Sequence, residues 1–282
     1  MIRPYIERLF IICLFVLTSC TYFDDDSLTY SFDEERWLFE LSSSKYKGRK
    51  TGTDGNKCAY NYLVKELKAI GHDIYIDSLS FRDSIMMRNI VTVVPGQTDS
   101  VIILGAHYDG AVSSLEYDAA NDNLSGVITI LSIAKKIRSS NETILLCLWD
   151  GEEQTSGSVF NGSRHFVSTY ENINKVKWYC NFDTCGCKDE IVYLYYSEPL
   201  VNSFKDIYSY IINAYPLLLM QHEIQGYSRS DYVSFREVGI PIWGWSDKDY
   251  KLLHTSKDSR DIISIQKIKD VSSASLEIIE LL

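Results

Sequence analysis

The segment Leu148-Trp149-Asp150-Gly151-Glu152-Glu153 places three carboxylates within four residues, directly after the apolar run Thr143 to Trp149. Adjacent side chains on an extended backbone point to opposite sides. One of the paired acids can therefore bind a metal ion while the other faces a water molecule as general base. Four further segments carry compatible groups. Gly105-Ala106-His107-Tyr108-Asp109 follows the apolar run Val101 to Leu104, and Ala120-Asn121-Asp122-Asn123-Leu124-Ser125-Gly126 opens a helical pattern. Asn181-Phe182-Asp183 ends the strand-like run Lys177 to Phe182, and Leu253-His254-Thr255 lies near the C-terminus. Each candidate donor sits just after a strand or just before a helix, and in open α/β sheets sites assemble at the carboxyl ends of strands. His, Asp, Glu, Asp and His form a hard nitrogen-and-oxygen donor set that suits zinc. With one acid bridging, the set can hold two ions roughly 3.5–4 Å apart.

The elements that must carry these groups alternate along the chain. Helices are expected over Asp33 to Leu41, Asn56 to Ile70, Leu124 to Ile137, Ser158 to Ser168, Pro199 to Tyr215 and Ile262 to Leu281. The second is amphipathic, with Tyr60, Leu63, Leu67 and Ile70 on one stripe and Gly71 closing it. Strands are expected over Ile74 to Phe81, Ile90 to Val94, Val101 to Leu104, Thr143 to Trp149, Val176 to Phe182, Ile191 to Tyr195 and Ile240 to Trp245. The run Thr143 to Trp149 has the composition of a buried central strand. Strands alternating with helices indicate an α/β/α sandwich in three layers around a mixed, largely parallel central sheet.

The N-terminus reads as separate from this fold. Arg3 and Arg8 form a positive region, and Leu9 to Leu17 form an apolar core too short to span a bilayer as a mature helix. Leu17-Thr18-Ser19-Cys20 resembles a bacterial lipobox, with small residues before Cys20 where cleavage needs them. The resulting expectation is a lipoprotein signal over 1–19, an acidic tether over 20–32 carrying Asp24-Asp25-Asp26, and one catalytic domain over 33–282. Cys20 would then anchor the protein to the bacterial cell envelope, in the outer membrane, with the acidic run resembling a surface-export signal. The 263 residues left after the signal suffice for one α/β domain with a substantial core. A formal charge of −10 argues against nucleic acid as a partner. An envelope location permits disulfides, yet Cys147 lies in an apolar strand as a small core residue. Cys180, Cys185 and Cys187 flank Asp183 and are expected as structural thiols or one local disulfide. The pairing of these cysteines and Cys58 is not legible in the sequence.

The motifs GAHYDG, AANDNLSG, WDGEE, NFD and LLHTSKD, in this order and spacing, resemble the co-catalytic zinc aminopeptidase family, which also contains the glutaminyl cyclases. Weaker matches are GRKTGT (Gly48 to Thr53), RNIVTVVPG (Arg88 to Gly96), GSRHF (Gly162 to Phe166) and Gly239-Ile240-Pro241. The resemblance implies a zinc-exopeptidase-like fold, two zinc ions and a peptide substrate with a free N-terminus. It implies His107 and His254 as nitrogen ligands, one per ion, Asp122 as the bridge, and Glu153 and Asp183 each completing one ion. Glu152 is then the general base, and Asp109 orients His107 from behind. It also implies a cis peptide after the bridging aspartate, here Asp122-Asn123. His72, His165 and His222 are expected as surface or structural residues. Three features depart from the family pattern. Leu253 stands where many aminopeptidases have an oxyanion-stabilising tyrosine, for which Tyr227, Tyr232 or Tyr250 are possible substitutes. Ser230-Asp231-Tyr232 replaces the common SDH, and the cyclases' tryptophan before the last histidine is absent. The alternative reading is a single-zinc glutaminyl cyclase, and behind it a non-catalytic binding protein of the same fold.

Overall fold

The computed structural model describes residues 32–81, 85–153, 157–220, 230–247 and 252–282. The signal expected over 1–19 and all of the tether except Phe32 lie outside these residues, as do His222, Tyr227 and Tyr250. The described residues form one sheet of eight strands in the order β1-β2-β4-β3-β5-β8-β6-β7. These are β1 Asp73–Phe81, β2 Ile85–Val94, β3 Val101–His107, β4 Thr143–Trp149, β5 Val176–Phe182, β6 Val192–Tyr196, β7 Leu218–Met220 and β8 Ile242–Ser246. The four central strands β4, β3, β5 and β8 run parallel. β1–β2, β2–β4 and β6–β8 pair antiparallel.

Period-two alternation sorts the strand residues onto two faces. In β4, Ile144, Leu146 and Leu148 join the larger core cluster, whereas Leu145, Cys147 and Trp149 join the smaller one. The larger cluster is covered by α1 Asp33–Leu41, α2 Asp54–Ile70, α3 Ser125–Lys136, α5 Val201–Ala214 and α7 Ile265–Leu281. The smaller is covered by α4 Asn161–Thr169 and α6 Tyr232–Arg236. Every described residue of α3 from Ser125 to Ala134 is buried. A helix apolar on all sides must be enclosed, and α3 is held between the sheet and the α2 and α7 helices.

Boundaries differ from the sequence expectation at several elements. β2 begins at Ile85, ahead of the expected Ile90, because its ladder with β1 continues through Arg88 and Asn89 to Phe81↔Ile85. Asn89 is fully buried and donates to Asp77 Oδ2 at 2.8 Å and to the Gly162 carbonyl at 2.9 Å. α4 starts at Asn161 rather than Ser158, since Phe160 holds φ +56°. The short β7 and α6 were not expected. Cys147, Cys180, Cys185 and Cys187 are free, buried thiols, so the last three form no local disulfide.

Candidate metal centre

Four parallel strands deliver their carboxyl ends to one edge of the sheet, and each is followed there by a candidate residue. His107 is the last residue of β3, and Asp150 to Glu153 follow β4. Asp183 follows β5, and the segment after β8 leads to His254. β4 and β5 flank β3 on opposite sides. The connections leaving β3 and β4 therefore part on opposite faces, through α3 and α4, which opens a crevice at the carboxyl edge. Asp122 enters it from the turn Ala120–Leu124 that precedes α3. Asp122 and Asn123 have non-helical backbone angles, and the bond between them is cis. Gly151, at φ +74°, turns the chain directly after β4, where a β-carbon would meet the Met87 sulfur at 2.7 Å.

All five expected ligands converge in two triads that share Asp122: His107, Asp122 and Asp183, and Asp122, Glu153 and His254. His107 Nε2 lies 3.2 Å from Asp122 Oδ1 and 3.5 Å from Asp183 Oδ1. His254 Nε2 lies 3.0 Å from Asp122 Oδ2 and 3.0 Å from Glu153 Oε1. The two Asp122 oxygens thus face different histidines. Glu152 is in neither triad, and its Oε2 stands 4.0 Å from His107 Nε2. The His107 side chain is 1% exposed and that of His254 53%.

A model of peptidase family M28 matches residues 89–279. The chain belongs to this family. Leupeptin-inactivating enzyme 1 of Streptomyces exfoliatus is 26% identical over 221 residues, which cover 76% of this chain and 48% of that protein. The chain thus spans about half the length of that relative. Two solved structures share the fold: Fimbriiglobus ruber glutaminyl cyclase and a Bacteroides thetaiotaomicron leucine aminopeptidase precursor. The cyclase superposes with a TM-score of 0.74 at 20% identity, covering 90% of this chain and 97% of that one. The aminopeptidase precursor gives 0.73 at 18% identity, covering 89% and 98%.

The donor set of this M28 chain fits a divalent cation. His107 Nε2 and Asp183 Oδ1 are buried and make no hydrogen bond, which is costly unless another group satisfies them. His107 Nδ1 lies 3.1 Å from the Asp109 carbonyl, which can only accept, so Nδ1 donates to it, and with a cation bound Nε2 would present its lone pair to the crevice. Electrostatics point the same way. Burial opposes a charge on His107, but Glu152 and the Asp109, Asp122 and Asp183 carboxylates outweigh it and raise its pKa well above the ordinary value. Asp122 and Glu153 raise His254 to about 10. Burial, then the nearby Asp122 charge, pushes Glu153 up to about 7. A dense cluster of carboxylates that holds its histidines protonated is a site that lacks positive charge.

The surroundings fix the donors through contacts the sequence did not reveal. The Asp109 carboxylate stands 3.6 Å from His107 Nδ1 and instead accepts from the Glu152 and Glu153 backbone N–H groups, at 3.2 Å each. Asp258, the last residue of LLHTSKD, accepts from the Asn121 and Asp122 N–H groups at 2.6 and 3.1 Å. Asn121 in turn donates to Asp247 at 2.7 Å. Arg49 is fully buried and donates to the carbonyls of Tyr108, Leu41, Asp118 and Ala119, which clamps the chain between His107 and Asp122. Asp231 is fully buried and close enough for its charge to act on His107, Asp109 and Asp183. Of the tyrosines considered for the oxyanion, Tyr232 packs edge-on against Tyr195 in the smaller core. Tyr117 is the unanticipated one: its buried hydroxyl makes no hydrogen bond, and its phenol feels the charges of Asp122, Asp258 and Glu153.

Proposed function

We propose that this chain is a zinc-dependent aminopeptidase that removes N-terminal residues from peptides, with two ions per chain. The observation that carries the reading is the pair of donor triads sharing Asp122, one oxygen toward each histidine. Four carboxylates line the centre, Asp122, Glu152, Glu153 and Asp183, and their charge matches two divalent ions. His107 and Asp183 would hold one ion, Glu153 and His254 the other, and Asp122 both. Zinc, when bound, supplies Lewis acidity that makes water acidic near neutral pH and polarises a peptide carbonyl.

The chain's own groups do the rest. Glu152 is buried beside the triads without belonging to either, so its carboxylate is available to take the proton of the attacking water and return it to the leaving amine. Asp109 holds the Glu152–Glu153 backbone, which keeps the acid and its neighbour pointing in their two directions. The same reading makes residues 1–19 a lipoprotein signal, 33–282 the catalytic domain and Cys20 the lipid anchor of an envelope protein. The match to peptidase family M28 and the leucine aminopeptidase precursor of the same fold support the peptidase assignment.

The test offers purified, zinc-loaded protein aminoacyl chromogenic substrates and an N-terminal glutaminyl substrate in parallel. Hydrolysis of the former with two zinc ions per chain is the expected result. Cyclisation of the glutaminyl substrate without hydrolysis would replace the reading by a glutaminyl cyclase.

A further inference from the structure

Beneath the paired glutamates lies a polar chain that the proposed reaction does not use directly. The Asp109 carboxylate receives the Glu152 N–H on Oδ1 and the Glu153 N–H on Oδ2, at 3.2 Å each. The Thr51 hydroxyl lies 3.1 Å from Asp109 Oδ2 and 2.9 Å from Asp150 Oδ1, so one hydroxyl spans two buried carboxyl groups. Asp150 is gripped from the far side. It accepts from Asn56 Nδ2 at 3.0 Å, from the Tyr108 hydroxyl at 3.0 Å and from the Arg88 N–H at 3.1 Å. Thr51, Asp109, Asp150 and Asn56 are all buried. Asn56 also donates to the Arg49 carbonyl at 3.1 Å, and Thr53 caps α2 by accepting from the Asn56 N–H. The GRKTGT segment and the first turn of α2 are thereby wired to the turn after β4.

We infer that Thr51 and Asp150 are positioning residues that set the orientation of the Glu152–Glu153 peptide through Asp109. The inference rests on the reading above, in which that peptide carries both the base and one ligand. A hydrogen-bonded carboxylate that is itself held at only one oxygen can rotate about its χ2. Asp109 is held at both, by two N–H groups and the Thr51 hydroxyl, and the hydroxyl is fixed in turn by Asp150. Removing the hydroxyl leaves Asp109 with the two N–H groups alone and leaves two buried carboxyl groups facing each other without a bridge, which pushes the Asp109 carboxylate away from Asp150 and against its bonds to the Glu152–Glu153 peptide. The consequence falls on Glu153 as a loss of ligand alignment and on Glu152 as a loss of aim. Supporting partners of this kind change metal affinity or activity by about 10–100-fold when removed.

Thr51→Val keeps the shape and deletes the hydroxyl, whereas Thr51→Ser keeps the hydroxyl and deletes the methyl. Zinc affinity of the full chain, measured by competition with a chromogenic chelator, is expected to fall about 10-fold in Thr51→Val and to be restored in Thr51→Ser. On an aminoacyl chromogenic substrate at saturating zinc, kcat should fall in Thr51→Val with KM little changed. Asp150→Asn should lower zinc affinity and kcat in the same direction. A merely structural role lowers the melting temperature of Thr51→Val while the folded variant keeps wild-type zinc affinity and kcat. That outcome overturns the inference, as does wild-type zinc affinity and kcat in Asp150→Asn. A wild-type chain that takes up no zinc and cleaves no aminoacyl substrate defeats the proposed function itself, which is a separate result.

Discussion

Glu152 and Glu153 are neighbours of the same type, both buried, yet only Glu153 belongs to a donor triad, and substitution should separate the roles proposed for them. Glu152→Gln retains size, shape and the backbone N–H that Asp109 accepts. It removes only the capacity to take a proton. Because Glu152 belongs to neither donor triad, zinc content should stay at the wild-type level. Loss of a general base costs on the order of 10²–10⁴ in turnover, or about 2.7–5.4 kcal/mol of transition-state stabilisation. Folding should not suffer. Burial, opposed by His107 and reinforced by the Glu153, Asp183 and Asp231 charges, raises the Glu152 pKa well above the usual carboxylate range, so a neutral amide suits the metal-free site at least as well. Glu153→Gln perturbs a different quantity, since Glu153 Oε1 lies 3.0 Å from His254 Nε2 within a triad. Zinc affinity should fall first, and excess zinc should recover part of the activity. Asp183→Asn should follow Glu153→Gln, because Asp183 Oδ1 faces His107 Nε2 in the other triad. Zinc content and kcat/KM on aminoacyl substrates, measured together on the three variants, decide the matter. Full activity in Glu152→Gln would refute the assignment of the base. Normal zinc with no activity in Asp183→Asn would favour the single-zinc cyclase.

Other consequences are open to measurement. Burial, partly offset by Asn121 and reinforced by the Glu190 charge, raises Asp247 to about 8 in the folded protein. In the unfolded chain it titrates near 4, so the folded state binds the extra proton between those values and stability declines as pH rises from about 4 to 8. Asp247→Asn, which keeps an acceptor for Asn121, should remove that decline and stabilise metal-free protein at pH 8 more than at pH 5, by on the order of 1–3 kcal/mol in urea unfolding. An equal effect at both pH values would count against a neutral Asp247. Arg49→Met should destabilise metal-free protein by about 3–5 kcal/mol in urea unfolding, because four carbonyls lose a buried cationic donor. A loss below about 1 kcal/mol would show that the clamp is dispensable. Cys20→Ala should abolish lipid labelling and release the protein from membranes, and unchanged labelling would exclude Cys20 as the anchor.

Most of the centre was legible because its donors sit at the ends of elements with strong patterns. The apolar runs of β3, β4 and β5 point to strands, and the motifs attached to them name His107, Glu152, Glu153 and Asp183. The supporting contacts were not legible, because they join residues far apart in sequence. Thr51 meets Asp150 across 99 positions and Asn121 meets Asp258 across 137. Asp109 shows the same limit at short range. Its place two residues after His107 pointed to a group that orients the ring, and its carbonyl lies 3.1 Å and its carboxylate 3.6 Å from Nδ1, but that the carboxylate also accepts from the Glu152 and Glu153 N–H groups was not legible. The start of α3 was expected at Leu124 and lies at Ser125, after the turn Ala120–Leu124 in which Asp122 and Asn123 hold non-helical backbone angles. Asn89 hid the first half of β2 because a buried polar residue interrupts the apolar pattern that marks a strand.

The unequal shielding of His107 and His254 gives the proposed pair of ions a sequence of arrival. An ion from the medium first meets the imidazole of His254, on an open loop at φ +57°, and only beyond it the enclosed nitrogen of His107. Exchange would then run from the His254 side inward. An ion at that position would follow the metal content of its surroundings more readily than one held by His107. A protein prepared under limiting zinc would be a population of half-filled chains with a common inner ion, and a second metal added afterwards would enter on the His254 side.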